Sequence, residues 1–197
     1  MKFVWSSDQS VLVRTDKALG LFRGLQKSML SGVVGLSPGR TSVMVRFDGL
    51  RQEHTDVESW VRSVGVGGPL APGKLVEILT SYTGEDLEEV ASLHGCSTTQ
   101  VVEIHSGRIY EAWFLGFVPG FAYLGEVDER IATPRRSVPR RAVLAGSVGI
   151  AGVQTGVYPR STPGGWNLIG RTDAVLFDAV SGVSLIEPGD RVRFIPQ

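Results

Sequence analysis

The chain has 197 residues, of which 42% are hydrophobic and 20% are charged, so it is long enough for one large or two small globular domains. Its 20 basic and 20 acidic residues balance, which gives no electrostatic reason to expect nucleic acid or an anionic membrane as a partner. Since the N-terminus lacks a signal-peptide core and Cys96 is the single cysteine, we expect a cytoplasmic protein.

The N-terminal part of the sequence alternates strand and helix patterns. Ser10–Arg14 has the alternation of a strand, and Asp16 can cap a helix whose apolar residues recur at helical spacing over residues 18–29. Residues 33–36 and 41–47 predict a hairpin across a Ser-Pro-Gly-Arg turn.

A second helix and a last strand complete this part. Thr55 and Glu58 have the spacing of a capping box at the start of the helix, and residues 74–80 predict the strand. The order β-α-β-β-α-β is typical of the ferredoxin-like split unit. We therefore predict an N-terminal α+β domain, a ferredoxin-like α/β sandwich, over residues 1–80.

A glycine- and proline-rich segment precedes the last strand. Residues 68–75, GPLAPGKL, match a phosphate-binding loop except at Leu75. That loop must present backbone N–H groups and open a helix, whereas Pro69 and Pro72 have no N–H and a strand follows. We interpret the segment as an interdomain linker.

Residues 81–107 predict two short helices separated by Gly95. Thr83 and Asp86 have the spacing of a capping box at the start of the first helix. A DNA-binding helix-turn-helix would need basic or amide side chains on its second helix, and this one offers Gln100 but no Arg or Lys. We interpret the segment as a helical linker.

From Arg108 onward, short strand-like runs alternate with Gly and Pro turns without helical periodicity. This pattern predicts a small closed barrel or sandwich over residues 108–197. Within it, residues 116–128, GFVPGFAYLGEVD, carry aromatic side chains on a chain bent by glycine and by Pro119. We expect this loop to leave a barrel strand, so that Phe117, Phe121 and Tyr123 line a mouth instead of a core.

Residues 133–141, TPRRSVPRR, place four arginines in an otherwise neutral chain. Guanidinium groups bind carboxylates and phosphates in bidentate fashion, so the segment suits an oxyanion clamp, with Arg135 and Arg136 as candidates. The alternative is a solvated loop paired with nearby acidic residues such as Glu126 and Asp128.

Residues 145–159, AGSVGIAGVQTGVYP, have glycines recurring at every third position, which indicates close backbone approach or a barrel corner. We expect a pocket wall at Gly146 and Ser147, with hydrogen-bonding side chains from Gln154 and Tyr158.

Trp166 directly follows Gly164 and Gly165, where it either fills the barrel mouth or stacks on a substrate. His105 precedes the turn into the barrel and is a further candidate, while the other two histidines are expected at helix ends. No metal site is visible, because the histidines lack ligand spacing and no carboxylate cluster accompanies them. Nor is there a Ser-His-Asp or Cys-His pattern, so no catalytic nucleophile is identified.

These motifs together match a known pattern. They are GFVPGFAYLG, TPRR, AGSVGIAG, QTGVYP, TPGGW and LIGRT, with YTGEDLEEVA and EIHS upstream. From about Ser81 to its end, the chain resembles the allophanate hydrolase subunit 1 family, also described as KipI-like or as the B subunit of 5-oxoprolinase. The resemblance implies an N-terminal α+β domain followed by a cyclophilin-like β-barrel. The chain departs from the family's usual smaller or apolar residues at Arg160 and Thr162.

The resemblance also implies a function, that of the B subunit of a heteromeric ATP-dependent 5-oxoprolinase, which opens the lactam of 5-oxoproline to glutamate. ATP is the implied cofactor. The implied partners are a subunit 2 (allophanate hydrolase subunit 2, or the C subunit of 5-oxoprolinase) and a LamB/YcsF-like third subunit. The alternatives are a KipI-like inhibitor of a sensor histidine kinase and a carboxyltransferase-type subunit of urea or allophanate metabolism. A peptidyl-prolyl isomerase would rest on the barrel fold alone, and a fold does not carry a function.

Chemistry and resemblance together give one set of candidates. Arg135 and Arg136 would bind a carboxylate or phosphate, and the aromatic residues would form a pocket or partner wall. The candidate substrate- or nucleotide-binding residues are His105, Phe117, Pro119, Phe121, Tyr123, Arg135, Arg136, Gly146, Ser147, Gln154, Tyr158, Gly164, Gly165 and Trp166.

Overall fold

The computed structural model of the chain describes residues 1–65 and 72–197. The chain divides into two compact units, Met1–Pro72 and Gly73–Gln197. Of the segment interpreted as a linker, residues 68–75, the first half lies outside the described residues. No helix within the described ranges is both long enough and apolar enough to cross a bilayer.

The first unit packs helices on an antiparallel sheet. Its elements are β1 (Lys2–Ser7), β2 (Ser10–Arg14), α1 (Ala18–Lys27), β3 (Val33–Pro38), β4 (Ser42–Phe47) and α2 (His54–Val64). The strand order is β1-β2-β4-β3, and the predicted hairpin of β3 and β4 is confirmed. Alternate side chains of β2 and β4 and one face of each helix form the core, because strand and helix periodicities place those side chains on one side.

The helix starts differ from the predicted ones. Helix α1 begins after Lys17 without a side-chain cap, so the predicted Asp16 cap is wrong. Helix α2 begins after Glu53, which forms the capping box with Asp56. The Glu53 N–H donates to Asp56 Oδ2 at 3.1 Å, so this pair occupies the role predicted for Thr55 and Glu58.

The ferredoxin-like arrangement predicted for residues 1–80 is not confirmed. Strand β1, which was not predicted, occupies the edge beside β2. Residues 75–80 instead form β5 (Leu75–Thr80), which pairs in parallel with a strand of the second unit. The reason is that alternation in β5 fixes which side chains are buried but not which sheet they are buried in.

The second unit contains a barrel-like sheet, two helices on its surface and short hairpins. Its elements after β5 are α3 (Leu87–Leu93), α4 (Thr98–Ser106), β6 (Ile109–Leu115), β7 (Ala122–Gly125), a 3₁₀ turn (Glu129–Ile131), β8 (Arg140–Val143), β9 (Ser147–Ala151), β10 (Gln154–Val157), β11 (Thr162–Gly164), β12 (Asn167–Arg171), β13 (Phe177–Asp178), β14 (Val183–Ser184) and β15 (Arg191–Pro196).

The sheet of this unit runs in the order β12-β9-β10-β7-β6-β15-β5. Its two outer strands meet where Ser81 and Arg171 exchange two backbone hydrogen bonds of 2.8 Å each. The sheet is therefore nearly closed, and the whole chain has a mixed α+β fold with a barrel-like second unit, as expected from its short strands and turns.

The two helices predicted over residues 81–107 belong to this second unit. Val90 of α3 and Val101 of α4 lie fully buried in its core. Helix α4 has a capping box, in which the Gln100 N–H donates to Ser97 Oγ at 3.2 Å and the Ser97 N–H donates to Gln100 Oε1 at 2.8 Å. The capping box predicted for α3 is absent, because Asp86 makes no capping hydrogen bond.

Candidate functional site

The aromatic loop between β6 and β7 has an unusual backbone. Phe117 has a φ of 68°, a left-handed conformation that bulky residues rarely adopt and that tends to occur at functional sites. Its side chain is 57% exposed. Gly120 also has a positive φ, 82°, and a Cβ at that position would lie 2.5 Å from the Cβ of Phe177, so only glycine fits there.

Four aromatic rings gather behind this loop. The Phe121 ring contacts Tyr158 and Trp166 edge-to-face, with centroids 5.3 and 5.2 Å apart, and Tyr123 lies 5.0 Å from Phe121. Edge-to-face pairs at these separations are favourable. Glycine makes room for them, since a Cβ at Gly156 would lie 3.2 Å from the Trp166 ring.

The rings surround a cavity of about 230 Å³, which we call the aromatic cavity. The residues that line it are Phe117, Phe121, Tyr123, Arg135, Pro139, Tyr158, Pro163, Gly164, Gly165 and Trp166. The structure thus brings together candidates from three separate motifs, the aromatic loop, the arginine-rich segment and the Gly-Gly-Trp turn. The two prolines in the lining were not predicted.

The titratable groups of the aromatic cavity are one guanidinium and two phenols. Burial raises the pKa of Tyr123 and of Tyr158, and the Arg135 charge opposes part of each rise. The Trp166 backbone also opposes part of the rise in the pKa of Tyr158. Both phenols are therefore protonated at neutral pH and are available as hydrogen-bond donors.

Arg135 differs from its neighbour in what it contacts. In the described part of the chain, no carboxylate lies within ion-pair distance of Arg135, which is exposed at the cavity rim. Arg136 Nη1 instead donates to Asp86 at 2.7 Å and to Glu89 at 3.1 Å. Of the two arginines predicted to bind ligand, Arg135 lines the aromatic cavity, whereas Arg136 is engaged in an internal ion pair.

Local backbone contacts explain why the two side chains diverge. The Pro134 carbonyl accepts from Asn167 Nδ2 at 2.7 Å, and the Arg136 N–H donates to the Gly165 carbonyl at 2.8 Å. Arg135 lies between these two anchors. Arg135 lines the aromatic cavity, while the Arg136 side chain reaches Asp86 instead.

His105 does not line the aromatic cavity. It is fully buried, with Nδ1 2.7 Å from the Tyr82 hydroxyl and Nε2 2.9 Å from Thr155 Oγ1. Since the Thr155 hydroxyl donates to the Gly149 carbonyl, it accepts from His105 Nε2–H, and Tyr82 donates to Nδ1. Burial lowers the pKa of His105 to about 3, so the ring is neutral at pH 7, and we interpret its role as structural.

The remaining candidates also lie outside the aromatic cavity. Pro119 lies on the other side of the loop, in a shallow depression of about 400 Å³ against Phe177. Gly146 has a φ of 81° and packs against the Thr172 carbonyl so closely that a Cβ would overlap it. Ser147 begins β9 and Gln154 begins β10, where both take part in backbone pairing.

Asp86 was not among the predicted site residues. It was predicted as a helix cap, yet its carboxylate accepts hydrogen bonds from Arg136, Arg140 and the Leu168 N–H. A signal was present, because the acidic sequence GEDLEE and the basic sequence TPRRSVPRR are two opposite charge clusters in a neutral chain. Among the described residues, no group of three His, Cys, Asp or Glu side chains could hold a metal ion.

Comparison with known proteins identifies similar sequences. A family model described as the carboxyltransferase domain, subdomain C and D, matches residues 1–183. The B subunit of 5-oxoprolinase from Escherichia coli O157:H7 is 56% identical over 128 residues, or 63% of this chain and 59% of that protein. The protein of the same name from Bacillus subtilis (strain 168) is 51% identical over 126 residues, or 62% of this chain and 52% of that protein. The chain thus spans between half and three fifths of the length of these curated relatives.

Among solved structures, the crystal structure of TTHA0988 resembles the chain with a TM-score of 0.87 and 34% sequence identity. The match covers 96% of this chain and 40% of that one. The sequence matches confirm the resemblance to the B subunit of 5-oxoprolinase that the motifs indicate. With residues 1–183 matched by the family model, the chain belongs to the family of carboxyltransferase domains, subdomains C and D.

Proposed function

We propose that the chain is the B subunit of a heteromeric, ATP-dependent 5-oxoprolinase, which opens the lactam ring of 5-oxoproline to yield glutamate. The similarity to two proteins that carry the name of this subunit, at 56% and 51% identity, supports the proposal. The structural observation that carries it is the aromatic cavity, a small apolar space with the cation Arg135 at its rim.

The chemistry of the aromatic cavity matches that of a small cyclic acid. The methylene groups of 5-oxoproline would pack on the faces and edges of Phe121 and Trp166. Its carboxylate would pair with Arg135 through charge-assisted hydrogen bonds. The protonated hydroxyl of Tyr158 would donate to the lactam carbonyl, and a donor at that oxygen favours the charge that develops there as the ring opens.

The aromatic cavity does not suit ATP. Its volume of about 230 Å³ lies below the usual range for drug-sized ligands, and Arg135 is a single cation against a triphosphate. No step of ATP chemistry is therefore assigned to these residues. ATP use is proposed for the assembled complex.

The partners are also part of the proposal. The family is defined by subdomains C and D of a carboxyltransferase domain, and the chain matches only 40% of TTHA0988, so related segments occur beside further polypeptide. We propose a subunit 2, the C subunit of 5-oxoprolinase, as the main partner and a LamB/YcsF-like protein as a third subunit. We also propose that the nearly closed sheet of the second unit is a cyclophilin-like barrel.

Reconstitution tests the proposed function. The purified chain, subunit 2 and the LamB/YcsF-like protein are assayed singly and together for glutamate formed from 5-oxoproline, with and without ATP. We expect glutamate only from the mixture that contains this chain and ATP. If the full mixture forms none, the proposal is wrong, and inhibition of a sensor histidine kinase's autophosphorylation would then favour the KipI-like alternative.

A further inference from the structure

Asp86 lies at the start of α3 and is 3% exposed. Its Oδ2 accepts from the Leu168 N–H at 2.6 Å, and its Oδ1 accepts from Arg136 Nη1 and Arg140 Nη2 at 2.7 Å each. A buried carboxylate is costly unless it is paired and hydrogen-bonded. Here the charge is met by two guanidinium groups and a backbone amide, so this side chain joins three parts of the second unit.

Both arginines lie in the segment that carries Arg135. Arg136 follows Arg135 directly, and its backbone N–H is bonded to the Gly165 carbonyl at 2.8 Å. Arg140 Nη1 lies 3.5 Å from the Trp166 carbonyl. The Asp86 carboxylate therefore acts on both walls of the aromatic cavity, the arginine-rich segment on one side and the Gly-Gly-Trp turn on the other.

The other acidic partners of these arginines are of a different kind. Glu85 and Glu89 pair with Arg140 and Arg136, but their side chains are 75% and 69% exposed. Exposed ion pairs contribute little free energy, whereas removing one partner of a buried pair leaves an uncompensated charge. Asp86 is thus distinguished from its neighbours by burial and not by charge.

We propose that Asp86 is a positioning residue for ligand binding. By holding Arg136 and Arg140, it fixes residues 133–141 and the turn before Trp166, and so orients Arg135 toward the aromatic cavity. Asp86 does not touch the cavity itself. The identity of the ligand, 5-oxoproline, rests on the proposed function, whereas the positioning of Arg135 does not.

The test compares three variants of the full chain. Asp86→Asn removes the buried charge at nearly constant volume, and Arg136→Gln removes one tether at a partly exposed site. Glu89→Gln is the matched control, since it makes the same acid-to-amide change beside the same arginine at an exposed position. Amide hydrogen exchange is measured on the purified chain, and KM and kcat for 5-oxoproline are measured on the reconstituted complex.

We expect Asp86→Asn and Arg136→Gln to speed exchange in residues 133–141 and 163–168 about tenfold, while exchange in β6 is unchanged. We expect KM to rise about tenfold with kcat within about twofold, since small misplacements of a binding group weaken its contacts. Glu89→Gln is expected to match the natural chain in every measurement. A general loss of stability would instead speed exchange throughout the second unit.

Unchanged exchange in both segments, or a KM no higher than that of Glu89→Gln, would overturn the positioning role. If Asp86→Asn does not fold, Arg136→Gln decides between the outcomes. If the natural chain supports no glutamate formation, the proposed function fails, and the exchange data alone decide whether Asp86 positions the segment.

Discussion

Two aromatic clusters of the second unit use similar residues for different ends. In the cluster around His105, both ring nitrogens have partners, and the Tyr110 hydroxyl donates to the His105 carbonyl at 2.7 Å. In the aromatic cavity, Arg135 has no carboxylate partner among the described residues, and Tyr158 keeps a proton to donate. Residue type therefore does not distinguish a core cluster from a binding site. What distinguishes them is whether polar side-chain groups are still available to hydrogen-bond a ligand.

The largest expected effect concerns the cluster around His105. His105→Ala would leave the Tyr82 and Thr155 hydroxyls without their partner and would open a void, which together cost about 3 kcal/mol of unfolding free energy. Urea unfolding followed by tryptophan fluorescence measures the loss. We expect KM for 5-oxoproline to be unchanged in the folded fraction. A loss below about 1 kcal/mol would contradict the structural role of His105.

A substitution in the aromatic cavity should change ligand binding and not the free energy of unfolding. Arg135→Gln removes the cation, and a charge-assisted hydrogen bond contributes about 2 kcal/mol, so we expect KM for 5-oxoproline in the reconstituted complex to rise about thirtyfold. Arg141→Gln, an exposed arginine of the same segment, is the control and should leave KM unchanged. Equal KM values for the two variants would remove Arg135 from the site.

The cluster around His105 should also make the free energy of unfolding depend on pH. Burial lowers the pKa of His105 from 6.5 to about 3, so between these values the unfolded chain binds a proton that the folded chain does not. Stability contributed by His105 is complete above pH 6.5 and falls with decreasing pH by up to about 1.4 kcal/mol per unit. Urea unfolding at several pH values measures this slope. His105→Gln should reduce it, and an unchanged slope would assign it to other groups.

The smallest effect concerns one hydroxyl of the aromatic cavity. Tyr158→Phe keeps the ring that packs on Phe121 but removes the donor proposed for the lactam carbonyl. Since a neutral hydrogen bond contributes about 1 kcal/mol, we expect kcat/KM for 5-oxoproline to fall about fivefold. The melting temperature serves as the control for packing. No change in kcat/KM would leave Tyr158 as a purely structural wall.

The local features of the site could be predicted from the sequence. Glycine and proline around Phe117 and Phe121 excluded a regular strand, and the Gly-Gly turn before Trp166 marked close approach. The structure places these segments around one cavity. Such features are encoded within a few residues of the chain, where turn chemistry and side-chain size act directly.

The different surroundings of Arg135 and Arg136 could not be predicted, because they depend on a distant residue. Asp86 is 50 residues from Arg136 and 82 from Leu168 in the sequence. The strand periodicity of residues 75–80 likewise did not reveal a partner strand 116 residues away. Local patterns determine which face is buried, and only the assembled fold determines the neighbour on that face.

The place of β15 in the sheet has a consequence for how the second unit is made. Strand β15 lies between β6 and β5, although β5 opens the unit and β15 is its last strand. During synthesis, β5 cannot pair with β15 until residues 191–196 have left the ribosome. Pairing across so long a stretch of chain is slow compared with local contacts, so the ordering of the first and last strands is expected to be a late event in folding.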